Sequence, residues 1–134
     1  MAKAVVDLTN QGVHVDTSLD NVVMPKVLTT IPNGRTLDVS DFTESVIKGG
    51  HLLIKKTGGT LYKPMPVEGE KYAALPEGFE YAGFQYGSVL KTRPFGAISK
   101  NCQYVVEAAP YALDEVLEDV KKSLPKVEFI TKED

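Results

Sequence analysis

From Phe42 to Pro66 the chain alternates between apolar runs and breaks, and the rest of the sequence is arranged around this stretch. Two apolar runs, His51 to Ile54 and Thr60 to Tyr62, flank Thr57-Gly58-Gly59. Runs of strand-forming residues on either side of a glycine turn predict a hairpin. Gly49-Gly50 predicts a second sharp turn just before it. Upstream, Val27 to Ile31 is rich in β-branched residues and reads as a strand, Pro32-Asn33-Gly34-Arg35 as a turn, and Thr36 to Val39 as the returning strand of another hairpin. The expected order from Ile31 to Tyr62 is therefore strand, turn, strand, loop, strand, turn, strand.

The flanks are less regular. Residues 1 to 12 read as an extended arm or edge segment, and Val13-His14-Val15 as a short strand ended by Asp16-Thr17-Ser18. Asn21 to Met24 runs into Pro25, which favours extended geometry at Met24. Residues 63 to 71, broken by Pro64, Pro66 and Gly69, read as loop, and Leu75-Pro76-Glu77-Gly78 as a turn. Tyr81 to Phe84 is apolar, with Gly83 marking a bulge or a close backbone approach. Short strands are expected at Ser88 to Leu90, from Ala97-Ile98 after the bend Arg93 to Gly96, at Gln103 to Val106 and at Val127 to Ile130.

One segment has helical periodicity. Leu113, Val116, Leu117, Val120 and Leu124 share a face, which predicts a helix over 112–124. Pro110 suits its first turn, acidic residues lie early, Lys121 and Lys122 lie late, and Pro125 stops it. The expected fold is mainly β: a small β-barrel or sandwich of short antiparallel strands with one C-terminal amphipathic helix. The expected division is an N-terminal arm over 1–24 and a β-rich domain over 25–130.

Composition narrows the function. The 134 residues fit one domain, and a net charge of −3 argues against a nucleic-acid partner, which needs a basic face. The longest apolar runs are too short to span a membrane, and residues 1 to 7 lack the apolar stretch of a secretory signal. The lone Cys102 has no internal disulfide partner and is compatible with a reducing cytoplasm.

Chemistry-bearing residues are sparse. His14 and His51 have no second ligand at metal-binding spacing, so a structural or exposed role is expected for each, and no metal or cofactor. Cys102 with a histidine base would make a nucleophile pair, but a half-buried strand residue is the commoner fate of a single cysteine. Asp114, Glu115, Glu118 and Asp119 lie on the polar side of the helix and read as a solvated face. The glycine pairs lack the Lys-Ser or Lys-Thr of a phosphate loop, and Tyr86-Gly87-Ser88-Val89-Leu90 lacks the second glycine of a nucleophile elbow. Phe79, Tyr81, Phe84, Tyr86 and Phe95 crowd into seventeen residues; most are expected in the core, with one or two at a protein interface.

The order of these segments resembles the head decoration and head-fibre proteins of tailed bacteriophages. The likeness rests on Gly34 to Val39 followed by Val46-Ile47-Lys48-Gly49-Gly50-His51; on Tyr62-Lys63-Pro64-Met65-Pro66; on Tyr81-Ala82-Gly83-Phe84 followed by Arg93 to Ile98; and on Val106-Glu107-Ala108-Ala109-Pro110-Tyr111 followed by a helix closed by Leu124-Pro125. It covers roughly residues 25 to 130. Where the family often carries a glycine in the strand before Glu107-Ala108, this chain has Asn101-Cys102-Gln103.

The resemblance implies a structural virion protein, made in the host cytoplasm and bound to the outer capsid surface as a cement protein or the base of a head fibre. Its implied partners are the major capsid protein, other copies of itself (a homotrimer, or a dimer) and a further fibre protein, with no cofactor and no catalysis. Candidate contact residues are Val5, Val6, Leu8, Val13, Val15, Tyr86 and Phe95. Two other readings are a β-barrel module binding a peptide or small ligand, which a deep pocket lined by Tyr81, Phe84 and Phe95 would favour, and an enzyme built on Cys102 and a histidine.

Overall fold

The structure is a computed structural model, and it describes residues 20–31 and 34–131. In chain order the elements are α1 (Asp20–Val23), β1 (Val27–Thr29), β2 (Arg35–Thr36), β3 (Val46–Ile47), β4 (Leu52–Lys56), β5 (Tyr62–Pro64), β6 (Val67–Glu68) and β7 (Lys71–Tyr72). There follow β8 (Phe79–Gln85), β9 (Val89–Leu90), β10 (Phe95–Gly96), β11 (Ile98–Ser99), β12 (Asn101–Val105), a 3-10 turn (Val106–Ala108), α2 (Leu117–Ser123) and β13 (Glu128–Ile130).

The predicted hairpin is the centre of the molecule. β4 and β5 pair antiparallel around a turn closed by bonds from the Gly59 N–H to the Lys56 carbonyl and from the Lys56 N–H to the Leu61 carbonyl, each 2.9 Å. Beyond it the sheet runs β11-β8-β4-β5, and a second sheet runs β13-β12-β1. The Ile31 N–H donates to the Ile98 carbonyl at 2.9 Å and the Ser99 hydroxyl to the Thr29 carbonyl at 2.8 Å, which joins β1 to β11. The whole curls into a half-barrel of short, mostly antiparallel strands with one C-terminal helix, as the sequence predicts. The pair β12–β13 is parallel, and the 3-10 turn and α2 make the crossover it requires.

β4 is buried on both faces, which is why its sequence reads as a continuous apolar run. Leu52 and Ile54 enter one cluster with Tyr72, Tyr81, Phe84, Tyr104 and the inner side of α2; Leu53 enters a second with Leu37, Ile47, Tyr62, Ala82 and Ile98. Gly83 marks a bulge, as predicted: Leu53 pairs with Gly83 but Ile54 with Tyr81, so Ala82 is the extra residue. Gly83 also meets the close approach expected of it. Its φ is 147°, and a Cβ there would lie 2.6 Å from the Ser99 carbonyl oxygen. A second register shift leaves Leu28 of β1 as an extra residue, since Asn101 pairs with Thr29 and Cys102 with Val27.

Three local expectations are corrected. Thr36 to Val39 does not return along Val27 to Ile31. Arg35–Thr36 pairs with Phe95–Gly96 instead, and β1 pairs with Asn101 and Cys102. This non-local pairing lets the Leu37 N–H reach the Pro94 carbonyl at 2.7 Å and buries the Leu37 side chain in the second cluster. Asp20–Val23, ahead of the Met24-Pro25 step, winds into a short helix that turns Val23 into the first cluster, where Met24 joins it. Residues 63–71 are not all loop. β5 runs through Pro64 at the edge of its sheet, where a missing N–H is tolerated, and β6 and β7 form a small ribbon.

The C-terminal helix is also shorter than expected. Leu113, Val116, Val120 and Leu124 are buried as the periodicity predicts and the four carboxylates are exposed, but regular helix begins only at Leu117. The reason is that the Tyr72 N–H donates to the Ala112 carbonyl and the Ala112 N–H to the Glu70 carbonyl, which holds residue 112 in a bridge to β7. Pro110 therefore precedes the bridge rather than the helix.

Candidate functional site

Tyr86 and Phe95 are 46% and 56% exposed, the two aromatic side chains among the large apolar groups that face water in the described residues. Tyr86 follows the end of β8, and Phe95 lies on β10, in the separate two-stranded ribbon with β2. The Tyr86 N–H, just past β8, donates to the Ala97 carbonyl at 2.7 Å, two residues from Phe95. Phe95 sits on β10, opposite Thr36, and its ring lies against Gly34. Of the five crowded aromatics, Tyr81 and Phe84 are buried and Phe79 is half-buried, so the interface expectation falls on these two. The other candidate contacts, Val5, Val6, Leu8, Val13 and Val15, lie outside the described residues, as does His14.

Beside this edge the N-terminal helix is fastened to the body. The Ser88 N–H and hydroxyl donate to the two carboxylate oxygens of Asp20, each at 2.9 Å, and the Gly49 N–H donates to the Ser88 hydroxyl at 3.0 Å. Gly50, at φ 88°, lies where a Cβ would be 2.7 Å from Val23. The last five residues of the expected arm, 20 to 24, are thus packed on the domain.

His51 is completely buried. Its Nε2–H donates to the Met65 carbonyl at 3.0 Å, which fixes the tautomer, and Nδ1 has no partner among the described residues. The rings of Phe42, Tyr72 and Tyr111 meet it edge-on at 5.3 to 5.5 Å between centroids. Burial lowers its pKa to about 4, against a smaller upward pull from the Met65 carbonyl. The Tyr104 hydroxyl donates to the Gly50 carbonyl at 2.6 Å, and the Leu52 N–H donates to the Tyr72 hydroxyl at 2.9 Å; burial pushes both phenol pKa values up. Cys102 is buried too, and burial raises its thiol pKa, away from the thiolate that nucleophilic chemistry uses.

Tyr81, Phe84 and Phe95 do not share a pocket. Phe84 stacks on Tyr104 inside the core, Phe95 lies on the exposed edge, and Tyr81 lines a groove of about 540 Å³ between β8 and α2. The groove has an aromatic floor and an acidic rim, a combination that sequence reading missed. Its signal was the run of acidic side chains around the start of α2, of which Glu115 and Asp119 line the groove, a position that only the fold reveals. Among the described residues no group of three or more His, Cys, Asp or Glu is placed to hold a metal ion, and no helix is long and apolar enough to cross a membrane. No family model, curated protein or solved structure matches the chain.

Proposed function

We propose that this chain is a structural protein of a tailed-bacteriophage virion, bound to the outer capsid surface as a decoration or head-fibre base protein and catalysing no reaction. The observation that carries the reading is the pair of exposed aromatic rings, Tyr86 just past β8 and Phe95 on β10. Exposed aromatic groups are among the marks of a protein contact, where Tyr and other aromatic residues carry much of the binding energy. The order of turns and strands that resembles the phage family supplies the partner: the major capsid protein, met by a homotrimer on which a further fibre protein can stand. The N-terminal arm ahead of Asp20 adds main-chain bonds to a neighbouring sheet edge.

Co-sedimentation with capsids that lack the protein tests the proposal. The Tyr86→Ser/Phe95→Ser double variant keeps its unfolding midpoint but loses at least tenfold in capsid affinity, since each ring at the centre of an interface is worth about 1 kcal/mol or more. Deleting residues 1 to 12 likewise lowers occupancy and leaves the body's unfolding midpoint nearly unchanged. Wild-type protein that does not sediment with such capsids at any concentration would refute the reading.

A further inference from the structure

The groove between β8 and α2 has a chemistry of its own, independent of capsid attachment. Tyr72, Leu75, Phe79, Tyr81 and Val116 form its apolar part. Four carboxylates, Glu68, Glu80, Glu115 and Asp119, stand against one ammonium, Lys122. Two of the four are already matched: Glu80 pairs with Lys55 at 3.8 Å, and Glu115 with Lys71. Glu68 and Asp119 have no ion-pair partner within 4 Å among the described residues; Lys71, across the β6–β7 ribbon from Glu68, feels its charge but is bonded to Glu115, so Asp119 is the carboxylate with no matched lysine. Asp119 stands close enough to the Tyr81 hydroxyl for its charge to add to the effect of burial there.

One ring of the floor, Phe79, carries a cation from within the chain, supplied by a lysine that does not line the groove. The Lys63 ammonium lies 5.2 Å from the centroid of the Phe79 ring. A ring face and a nearby carboxylate together favour a charged tip on an apolar stem, which is the shape of a lysine or arginine side chain. A groove of this volume admits a few such side chains with the backbone between them, and its unmatched charge is negative.

We propose that this groove docks a basic peptide segment of a partner protein, with an arginine or lysine stem on Phe79 and Tyr81 and its cation against Asp119 and Glu68. The site is separate from the Tyr86 and Phe95 edge. Phe79 opens β8 and Tyr86 follows its end, seven residues along a strand, or about 23 Å at ~3.3 Å per residue. A partner can therefore occupy the groove while the exposed edge is covered.

The test uses the full chain and a fluorescein-labelled hexapeptide of alternating alanine and arginine, read by fluorescence anisotropy. A hexapeptide with glutamate in place of arginine is the control probe. Wild-type protein binds the arginine peptide and not the glutamate peptide. The Glu68→Gln/Asp119→Asn double variant, changed only at exposed positions, binds about tenfold more weakly. Glu77→Gln/Glu107→Gln, which removes the same net charge elsewhere, binds within twofold of wild type. Equal weakening by the two double variants would reduce the effect to overall charge and overturn the proposal. So would absence of arginine-peptide binding at millimolar protein. So would self-association that the Glu68→Gln/Asp119→Asn variant abolishes while peptide binding stays at wild-type strength, because the groove would then belong to a second copy of the chain.

Discussion

Lowering the pH puts a charge on an imidazole that has no room for one. His51 is fully enclosed by Phe42, Tyr72, Tyr111 and the Met65 carbonyl, and both tyrosines stay neutral throughout the acidic range. In the unfolded chain the imidazole takes a proton below its ordinary pKa of 6.5; in the folded chain it does so only below about 4. Between those values the unfolded state binds more protons, so stability is full above about pH 6.5, falls as the pH drops towards 4, and levels off below. At about 1.4 kcal/mol for each tenfold in proton affinity, the gap is worth about 3 kcal/mol, of which about 2 kcal/mol is gone by pH 5. Asp38, whose carboxyl is held low by bonds from the Ser40 N–H and hydroxyl, loses its contribution in the same direction but at lower pH. The His51→Gln variant isolates the imidazole, because its amide can still donate to Met65 while carrying no proton equilibrium. Urea unfolding at pH 7, 6, 5 and 4 should show the wild type losing about 3 kcal/mol more than the variant across the series. Parallel loss in the two proteins would refute the assignment, as would an imidazole proton signal that titrates near pH 6.5 in the folded protein.

Two further predictions concern how the body is held. Gly83→Ala places a Cβ within 2.6 Å of the Ser99 carbonyl oxygen at a backbone angle that L residues avoid, and lowers unfolding free energy by about 2 kcal/mol or more in denaturant titration. Asp20→Ala and Ser88→Ala each cost about 1 to 2 kcal/mol, and the double variant costs clearly less than their sum, because both remove the bond from the Ser88 hydroxyl to Asp20, while the Ser88 N–H bond is lost only with Asp20; strict additivity would show that the hydroxyl bond contributes nothing of its own.

Much of the fold is written locally. The β4–β5 hairpin, the bulge at Gly83, the turn at Gly49-Gly50 and the buried face of the last helix follow from apolar spacing and turn residues within a few positions of each other. The errors share a cause, which is that strand partners lie far apart in sequence. Arg35–Thr36 has a strong turn beside it and still pairs with Phe95–Gly96, sixty residues away, because that register buries Leu37. The bridge from Lys71 to Ala112 shortened the helix in the same way: periodicity over 113–124 says which residues face inward, not where another strand claims the backbone. The acidic groove was hidden for the same reason, since Asp119 and Glu68 meet only after β6, β8 and α2 are in place.

Which aromatic residues end in water is decided by one inserted residue. In an unbroken strand, side chains alternate, so Tyr81 and Phe84, three apart, would face opposite sides of the sheet. Both lie in the first cluster, and Ala82 alone points into the second. The bulge at Ala82–Gly83 makes this possible by shifting the register between Leu53 and Ile54 of β4. Gly83 permits the shift because its backbone must pass against the Ser99 carbonyl with no side chain in between. After the bulge, Phe84 takes the core position beside Tyr104, and Gln85 is buried opposite Ile98. By then both faces of β8 are filled. The next ring, Tyr86, lies beyond the last paired residue and has only the open edge to occupy. The crowding of rings in the sequence thus announces an exposed aromatic, while its identity depends on a bulge whose position a glycine only hints at.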